Sequence, residues 1–148
     1  MKDRALRFFQ WVPSSLERTF EFFADARNLE RITPPLLKFR IVTPAPIEMG
    51  VGTLIDYRLR LRGVPLRWRS EITEWDPPHA FVDEQRRGPY RKWVHEHRFR
   101  EDGEGTRVED RITYSVPGGS LIERRLVRPD LNRIFDYRQR TIAELFGG

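Results

Sequence analysis

F-V-D-E-Q-R-R-G-P-Y-R-K-W-V-H-E-H-R-F, Phe81 to Phe99, reads as two strands joined at Gly88-Pro89. Side chains alternate between the two faces of a strand. Phe81, Asp83, Gln85, Trp93, His95, His97 and Phe99 therefore share one face, and Glu84, Arg86, Arg98 and Arg100 share the other. The second is a wet face. The first is aromatic at its ends and polar in its middle. Carboxylates and imidazoles are seldom buried without a reason. This inward phase is therefore the first functional clue.

Working outward, strand patterns flank the pair on both sides. Downstream, Asp102-Gly103-Glu104-Gly105 is a hairpin signal. After it, Val108, Asp110, Ile112, Tyr114 and Val116 alternate with Arg107, Glu109 and Arg111. Upstream, Leu66–Trp75 and Thr53–Arg62 alternate in the same way, separated by Gly63-Val64-Pro65 and followed by Asp76-Pro77-Pro78. Leu36–Thr43 reads as a further strand and Arg4–Val12 as the first. Between those two, Ser14 and Glu17 have capping-box spacing, predicting a helix to about Ala24, and Leu29–Ile32 predicts a short helical turn stopped by Thr33-Pro34-Pro35. Ser120–Phe146 is helical in period, with Leu131, Ile134, Phe135, Ile142 and Leu145 on its apolar side. Pro129 either kinks that helix or starts a second one.

Sequential antiparallel strands pair with their neighbours and need one face covered. The expected fold is α+β: a curved antiparallel sheet of about seven strands wrapped around a long C-terminal helix, with one or two short helices between strands 1 and 2. The 148 residues make one domain. There is no cysteine, which excludes disulfides, thiol nucleophiles and Cys-based metal sites. The net charge of +5 comes from arginines interleaved with acids, Lys2, Lys38 and Lys92 being the lysines. No dense basic run exists, so nucleic acid is not the expected partner. No apolar run approaches the roughly 20 residues of a membrane span, and no signal segment is visible, so a cytoplasmic protein without membrane insertion is expected.

N-L-E-R-I-T-P-P at Asn28–Pro35, G-T-L-I-D-Y at Gly52–Tyr57 and the Phe81–Phe99 stretch resemble a bacterial subgroup of the START/polyketide-cyclase-like (SRPBCC) superfamily. The resemblance covers nearly the whole chain, residues 1–148, as a single START-like domain. It implies the helix-grip fold, with a hydrophobic tunnel beneath the C-terminal helix that takes a small, largely apolar ligand. Members include lipid carriers, plant hormone receptors, aromatic cyclases and ring-hydroxylase catalytic domains, so no single reaction is implied. No catalytic residue transfers by motif.

Hairpin arithmetic places Asp83 opposite His95, His95 opposite Asp110 and His97 opposite Val108, with cross-strand Cβ atoms about 4.5–5.5 Å apart. Asp83, His95 and Asp110 are thus the candidate catalytic residues, a His–Asp acid/base couple suited to a cyclase or dehydratase. The cluster reads first as a polar anchor at the floor of a ligand cavity, with the acid/base couple and a self-satisfied network as the alternatives. Tyr57, Trp68, Gln85, Trp93, His97, Tyr114 and Phe135 are the candidate ligand-binding residues. His95-x-His97 has metal-ligand spacing, but His79, the remaining histidine, lies in a turn. No metal and no cofactor are expected. A small hydrophobic or amphipathic ligand is the expected partner; a protein-interaction module without a ligand is the third alternative.

Overall fold

Residues 3–147 are described in a computed structural model. Seven antiparallel strands lie in the order β1-β7-β6-β5-β4-β3-β2: β1 Arg4–Val12, β2 Arg40–Ile41, β3 Leu54–Leu61, β4 Val64–Asp76, β5 Ala80–Arg87, β6 Lys92–Asp102 and β7 Gly105–Ser115. The order follows from short hairpins, plus the return of β1 to pair with β7 across its whole length. Register shifts in β4 between Arg69 and Ser70 and between Ile72 and Glu74 bend the middle of the sheet. The bend gives it a concave face.

The alternation seen in the sequence is the burial pattern of the strands. Trp93, His95, His97 and Phe99 of β6 point inward and are buried; Arg98 and Arg100 are exposed. Helices α1 (Leu16–Ala24) and α2 (Asn28–Ile32) close one end. The cap of α1 is Ser15, one residue beyond the expected Ser14: its side chain accepts the Arg18 amide while Ser14 turns back onto the Val12 carbonyl. The expected strand at Leu36–Thr43 shrinks to Arg40–Ile41. Pro35–Leu37 forms a 3₁₀ turn, and Lys38 at φ 47 breaks the extended run.

The C-terminal segment is continuous helix from Gly119 to Leu145, in three parts. α3 (Gly119–Ile122) leads into a π-helical turn, Glu123–Val127, and then into α4, Arg128–Leu145. Pro129 sits in the first turn of α4, directly after the π turn, and gives no backbone N–H to the turn before it. The wider turn ahead of it, with the Arg128 amide bonding Glu123 O, keeps the helix from breaking. Leu131, Phe135, Arg138 and Ile142 form the buried stripe of α4. Two apolar clusters result. Phe20, Phe23, Phe81, Phe99 and Ile142 belong to one; Trp93, Ile112, Tyr114, Leu131 and Phe135 belong to the other.

Candidate functional site

Between the concave face of the sheet and α4 lies a cavity of about 400 Å³. Its walls are mostly apolar and aromatic, among them Phe23, Phe39, Tyr57, Trp68, Trp93 and Phe135. Asp83, His95, His97 and Arg138 also line it, forming one polar patch. The patch falls at the seam of the two apolar clusters: His97 stacks on Phe81 at 4.0 Å, and His95 meets Trp93 and Phe135 edge-on.

Asp83 does lie opposite His95. The β6–β7 register differs from the expected one by two residues, because Asp102 pairs with Gly105 and the turn is Gly103-Glu104 alone. His97 therefore faces Asp110, and His95 faces Ile112. An even slip keeps every side chain on its face, so the cluster survives, Asp110 still bonding His95 and Asp83 bonding His97 instead. Both carboxylates reach diagonally. His95 Nε2 is 2.8 Å from Asp110 Oδ1, and His97 Nε2 is 2.7 Å from Asp83 Oδ2. The two imidazoles stack with centroids 3.7 Å apart.

Arg138, from the stripe of α4, completes the group. Its Nη2 donates to Asp110 Oδ1 at 3.3 Å, and its guanidinium lies over the rings of Phe23 and Phe135. Burial opposes ionisation of Asp110, but the Arg138 charge and the His95 hydrogen bond hold its carboxyl well below the usual range. Burial would likewise raise Asp83; the hydrogen bond from His97 and the positive surroundings outweigh it and keep the pKa low. Burial, with His95 alongside, lowers His97 to about 4 against the pull of Asp83, so near neutrality it is an uncharged donor to that carboxylate. With His97 neutral, the Arg138 guanidinium is the fixed positive charge set against the two carboxylates.

The consequence concerns His95. An ionised Asp110 fixes its Nε2 as the donor. No described residue hydrogen-bonds its Nδ1, which is not sealed as His97 Nδ1 is, and His95 lines the cavity. The other ring nitrogen is therefore presented to whatever occupies the cavity, as an acceptor when neutral and a donor when protonated. As for metals, Asp83, His95 and His97 offer ligand atoms within 4.8 Å of one another. The two rings, however, are tilted by only 24°. Near-parallel stacked imidazoles direct their in-plane lone pairs side by side rather than onto one point, so this arrangement would have to open to chelate an ion.

Of the remaining expected residues, Tyr57, Trp68, Trp93 and Phe135 line the cavity. Burial pushes the Tyr57 hydroxyl up, which keeps it protonated. Gln85 does not reach the wall: its amide clamps the β5–β6 connection, accepting the Tyr90 amide and donating to the Tyr90 carbonyl. Tyr114 is also off the wall. It is fully buried beside it, with its hydroxyl donating to Glu123 at 2.6 Å. Asp110 stands behind His95 and Arg138, not at the surface of the cavity. Sequence reading missed Arg138 and Glu123. Arg138 had a visible signal, a charge three residues after Phe135 and four before Ile142 on one helical stripe. Glu123 had none, since its burial depends on the π turn.

A curved sheet gripping a C-terminal helix over an aromatic cavity defines the helix-grip class of ligand-binding folds. The family of polyketide cyclase / dehydrase and lipid transport proteins matches residues 12–141, and the chain belongs to it. No curated protein sequence matches. Solved structures share the fold at low identity. TTHA0849 from Thermus thermophilus is 21% identical over 95% of each chain, with a TM-score of 0.76. The ZhuI aromatase/cyclase from Streptomyces sp. R1128 is 17% identical, TM-score 0.75, over 97% of this chain and 93% of that one. Ginseng major latex-like protein 151 from Panax ginseng is 16% identical, TM-score 0.73, over 99% of each.

Proposed function

We propose that this chain binds a small hydrophobic or amphipathic molecule between the sheet and α4, with the molecule's polar group at His95 and Asp83. The observation that carries the reading is the cavity itself. It has about 400 Å³ of space walled largely by apolar and aromatic side chains, with the Asp83, His95, His97 and Arg138 patch on one wall. Apolar pockets with a few placed polar groups are how folds orient small ligands. A filled interior would have favoured the protein-interaction alternative. The test is a thermal-shift screen over lipids and planar aromatics on wild type and His95→Ala. The expected result is stabilisation of wild type by a subset of compounds, weakened in the variant. No shift across the panel would refute it.

A second reading has its own support. An imidazole held by a buried carboxylate on one nitrogen and open to the cavity on the other is the arrangement of a general acid/base. On this reading His95 takes a proton from, or gives one to, a bound ligand during cyclisation or dehydration, and Asp110 and Arg138 hold the ring. Its test is His95→Gln, which should retain ligand binding and lose turnover of a poly-β-carbonyl substrate. Equal loss of both would leave His95 as an anchor only.

A further inference from the structure

The cavity lining locates its mouth. Arg62, Ile122 and Leu126 line the cavity and are also exposed. The opening therefore runs between the β3–β4 turn, Arg62-Gly63, and the α3–π segment. Arg62 spans it to reach Asp130 at 3.1 Å, a residue that also binds Arg133. Around this mouth the surface is unusual. Leu121 is 54% exposed, Ile122 and Leu126 are each 39% exposed, and Val64 at the hairpin tip is 56% exposed. Single exposed apolar side chains mean little, but a group on one helical turn beside a cavity mouth forms a patch.

The charges here are one-sided. The segment from Gly119 to Asp130 holds two acids. Glu123 is buried and held by Arg128 and Arg4, and Asp130 is held by Arg62 and Arg133. Arg124 and Arg125 are exposed between the leucines, with no ion-pair partner among the described residues. The face thus shows leucines, an isoleucine and free guanidiniums, with no unpaired carboxylate.

We propose that this mouth face docks on an anionic phospholipid surface, Leu121, Ile122 and Leu126 entering the headgroup boundary and Arg124 and Arg125 meeting the phosphates. Arginine pairs with phosphate in a bidentate fork, and the anionic headgroups supply the charge the protein lacks here. Docking in this pose sets the cavity mouth against the apolar phase. The site does not depend on which ligand the cavity takes. Vesicle binding by a protein whose Tm no compound in the panel shifts would leave this docking standing while the function proposed above fails.

The test is co-sedimentation with phosphatidylcholine vesicles with and without phosphatidylglycerol, on wild type, Arg124→Gln/Arg125→Gln and Leu121→Ser/Leu126→Ser. These residues are exposed, and thermal unfolding checks that each variant folds. Wild type should sediment with the anionic vesicles only and be released by salt. Each arginine contributes about fivefold to partitioning, so the double arginine variant should lose about twenty-fivefold. Equal sedimentation of that variant, or no sedimentation of wild type, overturns the proposal. Wild type that ignores vesicles but runs as a dimer, with the leucine variant monomeric, would identify the face as a contact between copies and also overturn it.

Discussion

His97 makes the fold's stability depend on pH in a defined window. Its ordinary pKa is 6.5, and in the folded chain it is lowered to about 4, first by burial and then by His95. Between these values the unfolded chain binds a proton that the folded chain refuses. Stability therefore rises with pH across the window, and falls as pH drops from 6.5 toward 4. A shift of that size is worth up to about 3 kcal/mol, a large part of the total stability of a small domain. The carboxylates act elsewhere. Asp83 and Asp110 have depressed pKa values, so their contribution is complete above the ordinary carboxylate value and is lost only below it. The assay is urea unfolding at closely spaced pH values, comparing wild type with His97→Gln, whose amide can still donate to Asp83. The difference between the two should shrink steadily as pH falls through the window. A difference constant with pH would refute a neutral, buried His97 and with it the protonation scheme of the whole patch.

Three further outcomes follow from packing and charge. Asp110→Asn leaves Arg138 buried without its carboxylate and should cost about 3 kcal/mol, read as a lower Tm. Adding Arg138→Met should restore most of that loss, because both buried charges are then gone, and a double variant no better than the single would contradict the pairing. Gly105→Ala drives a Cβ into the Val12 carbonyl oxygen and the Trp11 ring. Chemical denaturation should show it about 2 kcal/mol less stable. Tyr114→Phe removes the hydroxyl bonded to buried Glu123 and should cost about 1–2 kcal/mol by the same measurement.

Much of this was legible because period carries through to burial. Strict alternation in β3, β6 and β7 placed the inward residues on the right face, and the turn residues placed the hairpins. The polar patch was legible for the same reason: an even error in register cannot move His95 or Asp110 to the outside. The pairings within the patch were not. Whether Asp110 bonds His95 or His97 depends on a two-residue turn and on diagonal reach, neither of which alternation encodes. Gln85 and Tyr114 had the right phase but belong to other networks, one holding a turn and the other a helix. Arg138 and Glu123 come from a helix whose period is altered by a π turn, so their partners could not be read along the strand pattern.

On the function proposed above, the cavity holds a ligand with its polar group at His95. Trp68 and Trp93 line that cavity and make binding visible as a change in their fluorescence. Titration of wild type and His95→Ala with lipids and planar aromatics tests it most directly. Wild type should show saturable quenching, with affinity about tenfold or more weaker in His95→Ala; the variant also loses the hydrogen bond to buried Asp110, so its Tm falls and titrations are run well below it. No saturable quenching by any compound, or equal affinities of wild type and His95→Ala, would contradict it.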